Sequence, residues 1–394
     1  MINSSNPCCG CGVCEALCPT KAITMTKDEH GFTSATVNES KCISCGLCVK
    51  RCPVEGGLLK STFVPEYYAA VSKDLVSLKK SASGGAFYVF AKKTIEMGGV
   101  VFGCVIDEDM NPVITHTDNI DGLKKMQGSK YVEADLKNSL EEAKKFLENN
   151  KKVLFSGTPC KIAALKKYLN KDYENLICCE IICHGVAGAQ LFHDYVEYLS
   201  EKLKGEISDI TFRDKKKGWG SLLKVTYKKN GKEKELYLSK EESSYYFYYY
   251  LKNAIFRESC YRCPFAKPDR ISDVTVGDFW GGRKLLPSVD SDLGISAIIV
   301  STSKGQSLFN ECASLFEYTR TDFQAMSKEN PNLLKPSERI GEAEEFWQAY
   351  MSGGFEEVEK LHKTIHRKSI LIGKIKRLMP YTFIKLIRKL RGVI

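Results

Sequence analysis

From residue 64 onward, short apolar runs of strand length alternate with longer amphipathic stretches. Val64–Val71 reads as a linker passing into a strand. Gly85–Met97 reads as a helix, Val100–Ile106 as a strand and Asp135–Asn149 as a helix with an acidic start. Val153–Phe155 is a short buried strand. Pro159–Leu169 is a helix whose proline falls near the first turn, where its missing N–H is harmless. Leu176–Ile182 and Ala189–Lys204 continue the series as strand and helix, and the alternation predicts an α/β core. Ile207–Tyr237 turns to β with polar hairpin signals, and Ile271–Val276 and Ile295–Val300 read as late core strands. Ahead of this pattern, the stretch around Ile23 to Val37 resembles a hairpin set between two cysteine loops. No solenoid repeat is visible, and the only internal repeat is the cysteine run.

That run carries the first chemistry. Cys8, Cys11, Cys14 and Cys18 are followed by Pro19, and Cys42, Cys45, Cys48 and Cys52 by Pro53. Both copies read C-x2-C-x2-C-x3-C-P, the ligand run of a bacterial two-cluster ferredoxin. Three thiolates on one tight loop hold three irons of a cubane, and the fourth reaches the other cluster. Cys8, Cys11, Cys14 and Cys52 are therefore expected around one 4Fe-4S cluster, and Cys42, Cys45, Cys48 and Cys18 around the other. Gly10, Gly12 and Gly46 allow backbone N–H groups to approach sulfur, and the prolines end the helical turn after the fourth ligand. A disulfide scaffold needs an oxidising compartment, and paired zinc sites rarely use this double spacing. Cys9 is expected to be a bystander.

Composition narrows the setting. At 394 residues the chain exceeds what one core usually supports, so two or three domains are expected. Residues 1–7 have neither the basic region nor the apolar stretch of a secretory signal, and no apolar run reaches membrane-spanning length. Seventeen cysteines without an export signal fit metal ligation in a reducing cytoplasm. The net charge of +10 is concentrated at the C-terminus, where nine Lys and Arg lie between Arg367 and Arg391 with no acid among them. The remainder is nearly balanced, which excludes a basic nucleic-acid-binding body. Phe383, Leu386, Ile387 and Leu390 recur at helical spacing between Lys385, Arg388, Lys389 and Arg391, beyond Pro380. This tail is expected to touch an anionic membrane surface peripherally or to dock a partner. The alternative is a terminal helix packed on its own body with a solvated basic face.

Three further cysteine sites stand out in the middle of the chain. Cys160 follows Gly157-Thr158-Pro159 between a strand and a helix, Cys183-His184-Gly185 ends a strand, and Cys260 and Cys263 form C-x2-C before Pro264. Four thiolates from three loops could close a third cluster, a zinc site, or be buried and inert; Cys104, Cys178, Cys179 and Cys312 are expected to be inert. A thiolate at a helix start, as at Cys160, is favoured by the dipole. Ser81-Ala82-Ser83-Gly84-Gly85-Ala86 precedes a helix, an arrangement that cradles phosphate or pyrophosphate on backbone N–H groups. Gly128-Ser129-Lys130 could add a second anion contact, although each segment can equally be only a turn. No G-x-G-x-x-G follows the first core strand.

Taken in order, Ser81–Ala86, Gly128–Val132, Gly157–Leu165, Cys183–Gly185, Phe212–Lys215 with Gly218-Trp219, Cys260–Phe265 and Ser272–Gly281 resemble the beta-subunit family of coenzyme F-420 hydrogenase and dehydrogenase. The similarity spans roughly residues 60–300 and fades beyond, and a ferredoxin module in front is common in that family. The resemblance implies an α/β domain holding FAD and a 4Fe-4S cluster. On that basis Cys160, Cys183, Cys260 and Cys263 match cluster ligands, and Ser81, Ser83, Gly84, Gly85, Gly128, Ser129 and Lys130 match flavin-binding positions. FAD rather than the deazaflavin is the expected flavin.

The expected architecture is therefore an α+β ferredoxin-like iron–sulfur module over 1–60, an α/β flavin-binding core over 61–340, and a helical C-terminal region over 341–394 with the basic amphipathic tail. The expected function is that of an iron–sulfur flavoprotein oxidoreductase, which relays electrons between 4Fe-4S clusters and FAD to an acceptor: a deazaflavin, a ferredoxin or a carbon substrate. His184 and Asp278 are the candidates for proton handling, against the alternatives of a hydrogen-bonded His after a strand and a turn-forming Asp. Arg213, Lys215 and Trp219 could line an anionic site. Two other readings compete. One is a non-catalytic electron-transfer subunit that docks a partner enzyme or membrane; the other is an assembly without FAD whose clusters are structural. In either electron-transfer reading an electron donor or acceptor protein is the expected partner.

Overall fold

Each cysteine run bends at a glycine before its helix. Gly12 (φ 71°) precedes helix Val13–Leu17 and Gly46 (φ 70°) precedes helix Leu47–Lys50, both in the left-handed region that glycine occupies without steric cost. Between the runs lies the expected hairpin: β1 (Ile23–Lys27) pairs antiparallel with β2 (Thr33–Val37), Ile23 opposite Val37. The computed structural model describes residues 7–55, 57, 62–220, 222–239, 245–287, 289, 291–379 and 383. Of the tail residues named above, only Phe383 and those up to Met379 fall within this set; the i, i+3, i+4, i+7 pattern itself lies outside it.

The remaining strands are β3 (Glu66–Ser72), β4 (Val100–Ile106), β5 (Pro112–Thr117), β6 (Val153–Gly157), β7 (Leu176–Ile181), β8 (Glu206–Asp214), β9 (Leu222–Lys229), β10 (Lys232–Leu238), β11 (Val274–Asp278), β12 (Ser296–Val300) and β13 (Phe316–Thr321). Eight of them form one sheet in the order β13-β3-β12-β11-β7-β6-β4-β5. β4, β6, β7 and β11 are parallel neighbours, and β12 runs antiparallel to both β11 and β3. β5 and β13 close the two edges antiparallel. The carboxyl ends of β6, β7, β11 and β3 thus share one edge of the sheet with the start of β12. β12 is buried along its whole length, as a strand covered on both faces must be.

Among the described residues a cluster of Ala69, Val71, Ala297 and Ile299 with Phe279, Met326 and Leu333 covers one part of the sheet, and two larger apolar clusters cover the rest. One joins Val101, Leu154 and Val274 to Phe90 of helix Ala86–Glu96, Met126 of Ile120–Met126 and Phe309 of Ser303–Cys312. The other joins Phe102 and Phe155 to Leu140 of helix Ser139–Glu148 and Ile162 of Pro159–Leu169, and it also takes in Cys9, Cys11 and Val13. The first cysteine loop is therefore part of the core rather than an appendage to it.

Most sequence-derived elements recur within a residue or two. The helix expected from Asp135 begins only at Ser139. Asp135 is held by β5 instead, its N–H donating to Pro112 and its carbonyl accepting from Ile114, and Lys137 adopts φ 41°. The strand expected from Ile271 begins at Val274, because the Asp273 carboxylate turns back to accept from the Cys178 N–H at 2.7 Å.

Compactness divides the chain into the described parts of Met1–Leu191 with Phe256–Glu338, and of Phe192–Ile255 with Arg339–Ile394. These units cut across the expected boundaries. The second unit holds the antiparallel sheet β10-β9-β8 and an aromatic core, in which the Tyr195 and Tyr246 rings stack at 5.4 Å. Helix Tyr245–Leu251 buries its aromatic run, and helix Glu342–Ile365 breaks at Gly353 and Gly354. Arg213 belongs to this unit, where its Nε donates to the Gly220 carbonyl. Among the described residues no helix is long and apolar enough to cross a membrane.

Candidate functional site

The first three cysteines of the second run and the last of the first line one cavity: Cys18, Cys42, Cys45 and Cys48, with Ile23, Val37, Gly46 and Leu47. That is the crossed set expected for one cluster. Cys18 Sγ also accepts from the Ala22 N–H at 3.2 Å, and such N–H···S contacts stabilise ligated thiolate. Cys8, Cys11, Cys14 and Cys52 form the complementary set. Burial, followed by the charges of Cys11, Cys8 and Cys52, pushes the Cys14 thiol up to about 12. Cys9 is buried beside them and hydrogen-bonds Cys11. Cys18→Ala is expected to lower bound iron by about four atoms per chain. It should expose Cys42, Cys45 and Cys48 to alkylation, read by mass spectrometry, and leave Cys8, Cys11 and Cys14 protected.

The core cysteines also converge. Cys160 sits in the first turn of helix Pro159–Leu169, after β6, with Thr158 Oγ1 at 3.1 Å from its sulfur. Cys183 follows β7, Cys260 lies within the 3-10 turn Glu258–Arg262, and Cys263 comes directly after it. Burial first, then the charges of Cys260, Cys160 and Cys263, raises the Cys183 thiol, and burial followed by Cys160 raises Cys263 to about 11. The four sulfurs are thus mutual neighbours. Among the described residues no three His, Cys, Asp or Glu side chains crowd closely enough to hold a single metal ion. A cubane offers each ligand its own iron, so it suits a wider ring of sulfurs. Cys178, Cys179 and Cys312 are buried with raised thiols, and burial likewise raises half-buried Cys104.

The Ser81–Ala86 turn lies at the sheet edge defined by the start of β12. Ser83 Oγ donates to the Ile295 carbonyl at 2.7 Å, and the Gly84 carbonyl accepts from the Ser72 N–H. A Cβ on Gly84 would lie 2.4 Å from the Ala70 carbonyl and the Ser296 nitrogen, so only glycine fits. Gly85 (φ 86°) starts helix Ala86–Glu96 without a cap from its own side chain; the Ala86 N–H donates to Ser296 Oγ at 3.4 Å, and the rest of the first turn suits an anion. Gln127 Nε2 donates to Ser81 Oγ at 3.2 Å, which brings Gly128 and Ser129 alongside this turn. The ammonium of Lys130 donates to the Lys125 and Gln127 carbonyls, closing helix Ile120–Met126. These residues fit a bound pyrophosphate through backbone groups more than through lysine. Asp278 ends β11 opposite Ser296, at the same edge. His184 is exposed, and its carbonyl accepts from Ser337 Oγ at 2.6 Å.

Sequence reasoning passed over the buried charges. Glu180 Oε1 accepts from Arg270 Nε at 2.5 Å and Thr275 Oγ1 at 2.8 Å, and Arg270 Nη1 donates to the Phe265 and Lys267 carbonyls after Cys263. Glu133, Lys161 and Arg257 are each under one tenth exposed, beside the first cysteine loop. Their nearness in sequence to Cys160 and Cys260 was the only available signal for two of the three.

A two-run cysteine module built into one face of a mixed α/β core defines an iron–sulfur electron-transfer protein. Residues 150–322 match the C-terminal region of the coenzyme F420 hydrogenase/dehydrogenase beta-subunit family, and residues 7–55 match the 4Fe-4S dicluster domain. Cys160, Cys183, Cys260 and Cys263 all fall inside the first of these segments. One of the subunits of the F(420)H(2) dehydrogenase of Methanosarcina mazei is 23% identical over 368 residues, covering 89% of this chain and 94% of its own. A chain of the F420-reducing [NiFe] hydrogenase complex from Methanosarcina barkeri aligns with a TM-score of 0.44 and 14% identity, over 75% of this chain and 97% of that one.

Proposed function

We propose that the protein is an iron–sulfur flavoprotein oxidoreductase in which the N-terminal clusters exchange electrons with a third cluster on Cys160, Cys183, Cys260 and Cys263, and through it with FAD. The observation that carries this reading is the shared sheet edge. The four core sulfurs and the Ser83-Gly84-Gly85 turn stand at the edge formed by the carboxyl ends of β6, β7 and β11 and the start of β12, where open α/β sheets bind their ligands. Bound FAD supplies the exchange between single electrons and electron pairs. The Ser83-Gly84-Gly85 turn and the helix start after it would hold its pyrophosphate through backbone groups, Gly128 and Ser129 would flank it, and Asp278 would hold or pass a proton at its carboxylate. His184 is a second proton carrier at the mouth of the Cys183 loop. The acceptor belongs to the chemistry of the relatives' F420, or is a protein or carbon substrate reached at this edge.

Anaerobic reconstitution with iron, sulfide and FAD tests the reading. The expected product binds about twelve iron atoms per chain and one flavin. Gly84→Val should abolish the flavin absorption band while leaving iron in place. A reconstituted chain that takes up no flavin overturns the proposal.

A second reading, a subunit that docks another protein or a membrane through its C-terminus, is favoured by one observation. Helix Arg367–Leu378 leaves Leu371, Ile372 and Ile375 about half exposed beside its basic residues. Docking through the C-terminus calls on residues other than those of the flavin site; as a non-catalytic subunit, this second reading competes with the first.

A further inference from the structure

Three charged side chains meet the backbone of the first cysteine loop in a buried place. Arg257 Nη1 donates to the Cys8 carbonyl at 3.2 Å and the Thr33 carbonyl at 2.8 Å, while Nη2 lies 2.5 Å from Glu133 Oε2. Lys161 Nζ donates to the Gly10 carbonyl at 3.2 Å and lies 3.8 Å from the Glu133 carboxylate. The fit is tight: a Cβ on Gly10 (φ +63°) would stand 2.6 Å from both Arg257 Nη2 and Glu133 Oε1. Each of the three is also tied to a different core-cysteine element. Lys161 follows Cys160, the Arg257 carbonyl accepts from the Cys260 N–H at 2.9 Å, and the Glu133 N–H donates to Ala187 in the loop after Cys183. The Arg257 N–H donates to Val186 of that same loop.

Two cations and one carboxylate leave one net positive charge between two sets of thiolates. Lys161 interacts electrostatically with Cys160 and Cys11, and Arg257 with Cys260 and Cys8. Such a charge is far more effective in the interior than in water. Burying it is costly unless each group is paired and hydrogen-bonded; the contacts above pair all three, while Glu133 Oε1 and Arg257 Nε make no hydrogen bond among the described residues.

We propose that Glu133, Lys161 and Arg257 form a charged bridge that seats the first N-terminal cysteine loop against the core cysteine set and raises the reduction potentials of the clusters on either side. The proposal rests on the reading of Cys160, Cys183, Cys260 and Cys263 as a cluster site. These are positioning residues: no bond forms or breaks at them. With clusters bound, one cubane would lose the single electron that the other gains, and no proton transfer at the three side chains is called for.

The test is an EPR-monitored redox titration of the full chain, reconstituted with iron and sulfide, as wild type, Glu133→Gln and Lys161→Met. Glu133→Gln makes the bridge more positive and should raise the reduced-to-oxidised ratio of the two flanking clusters on the order of tenfold at a fixed solution potential. Lys161→Met should lower it by a similar factor. The cluster on Cys18, Cys42, Cys45 and Cys48 serves as the unshifted reference. Shifts of the same sign, or none, in chains that hold about twelve irons overturn the bridge. About eight irons in the wild type overturn the core-cluster reading instead, so the two failures are told apart. Should a charge variant not fold, Gly10→Ala pushes the loop off the bridge, and the magnetic coupling between the reduced flanking clusters should fall. Unchanged coupling in that variant also overturns the proposal.

Discussion

Replacing Cys160 or Cys263 with Ala should take bound iron from about twelve atoms per chain to about eight, with the EPR signals of the N-terminal pair retained. The expectation follows from how the four sulfurs are placed. They arrive from three separate loops, so no short segment can rebuild the site once one is lost. The charges of the other three already act on Cys183. The neighbouring thiols are poor substitutes. Cys178 and Cys179 lie within β7, buried to 1% and 0% exposure, and the backbone that would turn them outward is locked into pairing with β6 and β11. An unchanged iron count in Cys160→Ala would mean that the convergence is a packing feature only. Flavin uptake should survive the substitution, because the Ser81–Ala86 turn is held by Ser72, Ile295 and Ser296 rather than by cysteine.

Arg270→Met should be the most damaging single change outside the cysteines. Its partner Glu180 is fully buried, and removing the guanidinium leaves a carboxylate with no counter-charge. Such broken buried pairs cost about 3–5 kcal/mol, which should appear as a lower denaturation midpoint. The same side chain holds the Phe265 and Lys267 carbonyls, so the segment after Cys263 should also loosen, and iron at the core site should become easier to chelate. Pairing the change with Glu180→Gln removes the stranded charge and should recover much of the stability, though not the hold on that segment. If the double variant is no more stable than Arg270→Met, the carboxylate is not the source of the loss.

Much of this arrangement could be read from the residues. The cysteine runs are legible because ligand geometry fixes their spacing, whatever surrounds them. β4 and the helix Pro159–Leu169 are legible because an unbroken apolar run and a first-turn proline admit few alternatives. Edge strands were not: β5 (P-V-I-T-H-T) and β13 (F-E-Y-T-R-T) mix polar residues into short runs and owe their conformation to β4 and β3 beside them. The helix Tyr245–Leu251 was passed over because six aromatic residues in a row carry no helical period. Least legible were Glu133, Lys161 and Arg257. Charged residues so far apart in sequence read as surface, and only the folded backbone shows them buried around Gly10. Lys130 shows the opposite case: a lysine beside a glycine suggests an anion contact, but the ammonium is occupied by carbonyls at a helix end.

The placement of Cys11 and Val13 inside the hydrophobic cluster with Phe155 and Ile162 has a kinetic consequence. A free ferredoxin must find its enzyme by diffusion, so delivery depends on concentration and, through surface charge, on salt. Under the proposed function, the inner cluster would stay attached to the core, and the step from it inward would be first order. Only the outer step would be bimolecular. Cys45 and Ile43 stand exposed at the other cysteine set, so ionic strength should act on an encounter there and not on the inner step.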